Sequence, residues 1–200
     1  MPVSATYGVS VTPPRDANIG AYELTFVASA RAGQGEPVSA STLVALAPPA
    51  NSAAMALDAG CGTSPLFDSY HRLTPNDMWD GVRTYGWIDT RPQCRDRGGP
   101  DALLRDFVAA TRPATLRLVV PPGVHDTYAL IGDPSFLANP VTISSGDQAL
   151  ARTGTPLPAG DFAWLKFEID GGAHGRTVDL TFSGEPDMYW IVDALVMSAG

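Results

Sequence analysis

The alternation of apolar and polar residues is the feature that most constrains the fold of this chain. In "FAWLKFEID", residues 162–170, every second side chain from Ala163 to Ile169 is apolar, and Lys166 and Glu168 fall between them. The segment "TVDLTFSG", residues 177–184, repeats the pattern. A period of two places successive side chains on opposite faces of a strand. The sequence therefore predicts antiparallel strands that bury one face.

Helical periodicity is almost absent, and the one candidate helix is a turn or two in "GGPDALLRDFVAA", residues 98–110. The 18 prolines and 20 glycines separate short strand candidates. This punctuation favours an all-β protein, an antiparallel β-sandwich of jelly-roll type. The segment "YWIVDALVM", residues 189–197, is apolar on both faces except for Asp193. We expect it to lie centrally, or to be covered by the N-terminal part of the chain.

Residues 1–47 contain three strand candidates, "ATYGVSV", "GAYELTFVASA" and "PVSASTLVAL". The stretch "ANIGAYELTFVASA" resembles the closing half of small immunoglobulin-like repeats. Three strands are too few to close such a sandwich, so this segment is truncated or packs on the main domain. We divide the chain into a partial immunoglobulin-like β segment at 1–47, a linker at 48–54 and a main domain at 55–200.

The formal charge of −8 and the pI near 4.6 argue against nucleic acid as a partner. No apolar run reaches the roughly 18–20 residues that a membrane-spanning helix needs. The two cysteines, Cys61 and Cys94, lie in no zinc-binding spacing. A disulfide is the simplest interpretation if the protein is secreted, and two unrelated thiols are the alternative.

The segment "NDMWDGVRTYGW", residues 76–87, holds three large aromatic residues in surroundings too polar for an ordinary buried strand. It is followed closely by "RPQCRDRGG", residues 91–99. Sugar rings stack their apolar faces on aromatic side chains, and their hydroxyl groups need fixed polar partners. The two segments contain both kinds of side chain.

Four segments follow one another in an order that resembles a known family. They are "ALDAGCGTSPLFDSYHRLTPNDMWDGVRTYGW", "DRGGPDALLRDFV", "ATLRLVVPPGVHDTYALIGDP" and "FEIDGG…VDLTFSG…YWIVDALVM". The order resembles the galactose-binding-domain-like modules that stand beside catalytic domains in polysaccharide lyases, esterases and glycosidases. Cys61 departs from the pattern, because the family tends to have proline or glycine at that place.

The resemblance implies a secreted, non-catalytic module that binds a polysaccharide or oligosaccharide. It places Trp87 in the core and leaves Trp79 and Tyr85 in the polar part of their segment. We predict a binding surface in the loops, formed by Trp79, Tyr85, Arg95 and Arg97. The alternative surface is the sheet face around Trp164 and Lys166. The rival function is a structural docking domain that contacts other domains of the same enzyme and binds no sugar. A third and weaker alternative is a stand-alone lyase or esterase.

Modules of this kind often hold a structural calcium ion where the first and last strands meet. The resemblance therefore implies calcium at Asp58, on the opening strand, and Asp193, on the closing one. A buried carboxylate must be paired, metal-bound or protonated. The alternative is a hydrogen-bonded carboxylate near an arginine.

No catalytic template fits the sequence with any specificity, and we predict that the chain is not an enzyme. The Gly-x-Ser-x-Gly turn of serine esterases is absent. The three histidines, His71, His125 and His174, lie in loops or at strand starts. Neighbouring carboxylates such as Glu168 and Asp170 are better explained as solvated residues than as a glycosidase pair.

Overall fold

A computed structural model describes residues 19–28, 38–48, 53–99 and 101–200. It confirms the predicted all-β class, and no helix long and apolar enough to cross a membrane occurs in these ranges. The strands in chain order are β1 (Gly20–Ala28), β2 (Val38–Leu46), β3 (Ala53–Ala59), β4 (His71–Leu73), β5 (Tyr85–Trp87), β6 (Gln93–Asp96), β7 (Asp106–Ala110), β8 (Ala114–Val120), β9 (Val124–Gly132), β10 (Thr142–Ser145), β11 (Gln148–Arg152), β12 (Phe162–Asp170), β13 (Arg176–Ser183), β14 (Trp190–Val192) and β15 (Ala194–Ser198).

The strands form two five-stranded sheets, a three-stranded sheet and a hairpin. Sheet I has the order β12-β9-β15-β3-β4, and sheet II has the order β11-β10-β13-β8-β5. Sheet III is β14-β7-β6, and β1 pairs with β2 as an antiparallel hairpin. The pairings between these strands are antiparallel except that of β3 with β4, which is parallel. The structure therefore has the strand pairing of a β-sandwich, with sheet III as an addition.

The core lies between the sheets, where the alternating apolar side chains meet. One cluster joins residues from sheets I, II and III, among them Leu57, Trp87, Leu116, Phe182, Trp190 and Leu195. The rings of Trp87, Phe182 and Trp190 contact one another, with centroids 5.6 to 6.2 Å apart. Period-two patterning thus puts the largest side chains between the sheets, as expected for half-buried strands.

The outer face of sheet I is covered by the N-terminal hairpin. Leu130 and Val196 of this face belong to a second buried cluster, against which Leu43 of β2 and Trp164 of β12 pack. The segment predicted to be apolar on both faces is split into β14 and β15, and β15 lies between β9 and β3. Both parts of that expectation are confirmed, because β15 is central in sheet I and the hairpin covers its outer face.

The prediction of a short helix within residues 98–110 is wrong. Residues 102–105 form bends, and β7 begins at Asp106. The Asp101 carboxylate accepts the N–H groups of Leu103 and Leu104 at 2.9 and 3.3 Å, as a helix cap would. Its other oxygen accepts the N–H of Ala45 in β2 at 2.7 Å. Both leucines are buried under the hairpin, so tertiary packing overrides the local helix signal.

Cys61 and Cys94 form a disulfide, with their Cα atoms 5.3 Å apart. The predicted bridge is confirmed. Cys61 follows β3 of sheet I, and Cys94 lies in β6 of sheet III. The bond therefore ties the small sheet to the large one.

The domain division at residues 48–54 stays a prediction. The first strand candidate, "ATYGVSV", lies outside the described residues, whereas the second and third correspond to β1 and β2. The main-domain boundary falls close to the start of β3 at Ala53.

Candidate functional site

The outer face of sheet III carries the polar residues of the candidate site. In this sheet Arg95 pairs with Phe107 and Gln93 pairs with Ala109, so these side chains point to the same side. The intervening residues Cys94 and Val108 belong to the core on the opposite side. One face of the sheet thus anchors it to the sandwich, and the other lines a cleft.

The cleft has a volume of about 210 Å³. Its floor is sheet III, and its wall is the segment after β9. Polar and aromatic side chains converge on it; they are Gln93, Arg95, Arg97, Phe107, Asp133, Phe136, Asn139 and Tyr189. A concave site with aromatic surfaces and a few polar groups is the usual form of a small-ligand site.

A buried ion pair organises the wall of the cleft. Arg97 Nη2 lies 2.9 Å from Asp133 Oδ2, and Arg97 Nε lies 3.2 Å from the same oxygen. Asp133 is 1% exposed, and its Oδ1 also accepts the N–H groups of Ser135 and Phe136 at 2.8 and 3.1 Å. The carboxylate therefore fixes both the arginine and the turn that carries the aromatic ring.

The aromatic rings of Phe136 and Tyr189 line the cleft and are partly exposed. The Arg97 guanidinium lies 4.4 Å from the ring centroid of Phe136 and 5.4 Å from that of Phe107. Phe136 and Tyr189 are 58% and 43% exposed. An arginine stacked on one ring face holds that ring in place and leaves the rest of the ring to solvent.

The structure brings only two of the four predicted binding residues together. Arg95 and Arg97 both line the cleft. Trp79 lies over the outer face of sheet II, where its ring centroid is 5.8 Å from the Arg117 guanidinium. Its backbone covers Gly86, at which a Cβ atom would lie 2.6 Å from the Trp79 nitrogen. The sequence predicted that the two arginines and Trp79 share one surface. The structure places the arginines in the cleft and Trp79 over sheet II.

Tyr85 is also outside the cleft. Its ring packs against the main core, and its hydroxyl donates to the carbonyl of Arg72 at 2.9 Å. Trp87 is fully buried, as predicted, and its indole N–H donates to the Thr74 carbonyl at 3.1 Å. The alternative binding surface was the sheet face around Trp164 and Lys166. There Trp164 packs beneath the hairpin, and Lys166 pairs with Asp126 at 2.8 Å. The face around Trp164 is covered rather than open to a ligand.

Sequence reasoning missed Phe136, Asn139 and Tyr189. They come from "GDPSFLANP", residues 132–140, and from the loop before β14. A signal was present, since an aromatic residue between two prolines in a polar loop has no strand in which to be buried. The pairing of these loops across the sheet depends on tertiary structure and has no local pattern.

The predicted calcium ligands, Asp58 and Asp193, are both fully buried. Both oxygens of Asp193 lack a hydrogen-bond partner among the described residues. Asp58 Oδ2 accepts the Phe67 N–H at 2.8 Å and lies 3.8 Å from Arg72 Nη1, which is also 3.6 Å from Asp106.

Calcium needs six to eight oxygen ligands, and no three acidic, histidine or cysteine side chains of the described chain are grouped to hold a metal. The donor set fits an arginine-compensated carboxylate cluster better than a calcium site. Calcium at Asp58 and Asp193 therefore stays a prediction, and we derive no function from it.

These buried aspartates give an expected pH dependence, with higher stability near about pH 5 than near about pH 7.5. Burial raises the pKa of Asp58 from 3.8 to about 6. Burial also raises the pKa of Asp106, and that of Asp193 more strongly. The folded state then binds these protons more tightly than the unfolded state. The resulting stability is present below pH 3.8 and is lost as pH rises through about 6.

Thermal unfolding at the two pH values and constant ionic strength measures this effect. Asp58→Asn is the control, since an amide oxygen can still accept the Phe67 N–H and carries no titrating proton. The variant should show a smaller change in melting temperature between the two pH values. A melting temperature of the unmodified protein that rises toward neutral pH would contradict the prediction.

The sequence matches no protein-family model and no curated protein. Solved structures share the fold. Protein YXIM of Bacillus subtilis matches with a TM-score of 0.54 and 15% identity, over 73% of this chain and 40% of that chain. A beta-glucuronidase of Bacteroides uniformis matches with a TM-score of 0.51 and 13% identity, over 90% of this chain and 23% of that chain.

A calcium-binding mutant of Bacteroides uniformis beta-glucuronidase 2 matches at a TM-score of 0.50 and 14% identity, over 90% of this chain and 23% of that chain. This chain thus spans less than half of each of these proteins. At such identities the likeness defines the class, an all-β protein with β-sandwich architecture, and nothing finer.

Proposed function

We propose that this chain is a non-catalytic carbohydrate-binding module, of the galactose-binding-like jelly-roll type, and that sugar binds in the cleft on sheet III. The observation that carries the proposal is the cleft itself. It joins exposed aromatic rings at Phe136 and Tyr189 with the hydrogen-bonding groups of Gln93, Arg95 and Asn139. Sugars need both, because their rings have apolar faces and polar edges.

The fold neighbours support this proposal in a general way. The B. uniformis proteins are beta-glucuronidases, and this chain matches about a quarter of their length. The bridge between Cys61 and Cys94 supports a secreted protein, since disulfides persist mainly in oxidising compartments. A module of this kind acts by holding an associated enzyme near its polysaccharide.

The state of the acidic and histidine side chains supports a non-catalytic role. Asp133, the single acidic residue among the described residues that line the cleft, is held by Arg97 and by two backbone N–H groups. His125, elsewhere in the fold, is 2% exposed, and its ring nitrogens contact the carbonyl oxygens of Ser198 and Pro121. A general acid or base needs a proton-transfer atom that is free to reach the substrate.

Tyr189→Ala is expected to weaken glycan binding by about 1–3 kcal/mol, through the loss of a stacking surface. The measurement is isothermal titration with the best ligand from a glycan array probed with the isolated chain. Tyr22→Ala is a matched control, because Tyr22 is 41% exposed on the hairpin and is not among the residues that line the cleft.

Trp79→Ala tests the alternative location in the same experiment and should leave the affinity unchanged. Loss of binding in Trp79→Ala together with retention in Tyr189→Ala would move the site to sheet II. No binding to any plant or microbial polysaccharide would count against the proposed function as a whole.

A structural docking function is the second candidate, and the hairpin favours it. Phe26 and Val38, near its far end and on one face by the strand register, are 39% and 70% exposed. Apolar residues grouped at the surface are a common feature of domain contacts. In that case the chain would contact other domains of the same enzyme and would bind no glycan on an array.

A further inference from the structure

The cleft on sheet III continues into a second depression along the same strand. This depression has a volume of about 260 Å³ and shares Gln93 and Ala109 with the cleft. Its other lining residues include Arg91 and Arg112. The two depressions together form one groove, which we call the β6 groove.

Four arginines line the β6 groove, and they are Arg91, Arg95, Arg97 and Arg112. The first three precede, belong to and follow β6, and their positions differ by four and by two. In extended chain such residues point to the same side, and alternate positions are spaced by about 6.5 Å, so Arg91 and Arg97 span roughly 20 Å. The positive charges thus form a row along the groove.

Within the described part of the chain, three of these arginines have no acidic partner. No carboxylate of the described residues lies within 4.0 Å of the guanidinium groups of Arg91, Arg95 or Arg112. Arg95 donates to the Gln93 side chain at 2.6 Å and to the Cys94 carbonyl at 3.0 Å. Arg97 is the exception, since Asp133 neutralises it.

Several arginines elsewhere in the described chain do pair with aspartates. Arg83, Arg105 and Arg117 each pair with an aspartate at 2.6 to 3.0 Å. A protein of net charge −8 has carboxylates to spare, yet Asp133 is the one acidic residue among the described residues that line the groove. The four arginines less this aspartate leave the groove lining with a charge of +3. Unpaired arginines grouped in a concave site match anionic groups on a ligand.

We propose that the β6 groove binds an anionic polysaccharide, a sugar chain that carries carboxylate or sulfate groups. This inference rests on the proposed carbohydrate-binding function and adds the charge class of the ligand. Tyr189 and Phe136 stack on a sugar ring at one end, while Arg95, Arg91 and Arg112 bind successive anionic groups toward the other. A planar guanidinium binds carboxylate and sulfate oxygens through paired hydrogen bonds.

The overall charge favours a sugar chain over a nucleic acid. A nucleic acid presents a dense row of phosphates, which the acidic surface outside the groove repels. A polysaccharide that carries its charges more sparsely and stacks on aromatic rings meets mainly the groove.

The test compares matched ligands by isothermal titration with the whole chain. Polygalacturonate is compared with its fully methyl-esterified form, dextran sulfate with dextran, and single-stranded DNA is a further arm. We expect one anionic ligand to bind at least about tenfold more tightly than its neutral counterpart, and salt to weaken that binding. The carboxylate and sulfate arms distinguish the two chemistries.

Variants then locate the interaction. Arg91→Gln combined with Arg112→Gln should weaken binding of the anionic ligand roughly threefold to tenfold, as expected for two exposed charge contacts. Arg152→Gln is the matched control, because Arg152 is exposed on β11 and is not among the residues that line the groove.

The outcomes separate this inference from the proposed function. Equal affinity within both pairs of charged and neutral sugars, with no effect of the double variant, would overturn the anionic class and leave carbohydrate binding intact. If none of the sugars bound, both the anionic class of the ligand and the carbohydrate-binding function would be overturned. Tight binding of DNA alone would replace the polysaccharide with a nucleic acid.

Discussion

Replacing Trp87 with alanine is expected to lower the free energy of unfolding by about 3–5 kcal/mol, the usual cost of removing a large buried aromatic residue. Trp87 is fully buried and contacts the rings of Phe182 and Trp190 at 6.1 and 6.2 Å. It also satisfies the Thr74 carbonyl through its indole N–H. Its loss would leave a cavity at the point where the three sheets meet. Urea unfolding followed by tryptophan fluorescence measures the change.

Trp79→Ala is the matched control for that measurement. Trp79 lies in the same sequence segment but is only partly buried, and its indole contacts the Arg117 guanidinium at 5.8 Å. We expect a cost of about 1 kcal/mol. Equal destabilisation by the two substitutions would contradict the assignment of Trp87 to the core and Trp79 to the surface of sheet II.

Removal of the disulfide by Cys61→Ala with Cys94→Ala is expected to lower the free energy of unfolding by about 3–4 kcal/mol. This is the loop-closure value for a separation of 33 residues. A lower melting temperature without any reductant in the sample would show it. The unmodified protein under reducing conditions should melt at nearly the same temperature as the double variant.

The same substitution also probes the groove. Cys94 lies between Gln93 and Arg95 on β6, and it faces the core while they face the cleft. Loss of the bridge should therefore loosen the strand that carries the polar groups and weaken glycan binding at temperatures well below unfolding. A double variant with unchanged stability would show that the bridge adds nothing to the folded state.

The strands were predictable from sequence because their pattern is local. The segments "FAWLKFEID" and "TVDLTFSG" became β12 and β13 with bounds within a residue. A period of two needs no knowledge of distant residues. The helix prediction for residues 98–110 was wrong because the conformation there depends on distant residues. Leu103 and Leu104 are held under a hairpin that is remote in sequence.

The candidate site was only half predictable. Arg95 and Arg97 lie in and just after one strand, and the structure places both in the cleft. Trp79 and Tyr85 were grouped with them because they are near in the chain, although Tyr85 belongs to sheet II and Trp79 lies over it. Nearness in sequence was misleading here because the consecutive strands β5 and β6 belong to different sheets.

The hairpin on the outer face of sheet I determines where this chain can be cut. A fragment that begins at β3 would expose Leu130, Trp164 and Val196 to water, and the Asp101 carboxylate would lose its partner at Ala45. Such a surface favours self-association. The two strands of the hairpin therefore act as a third layer of the sandwich, and a fragment designed to stay monomeric has to include them.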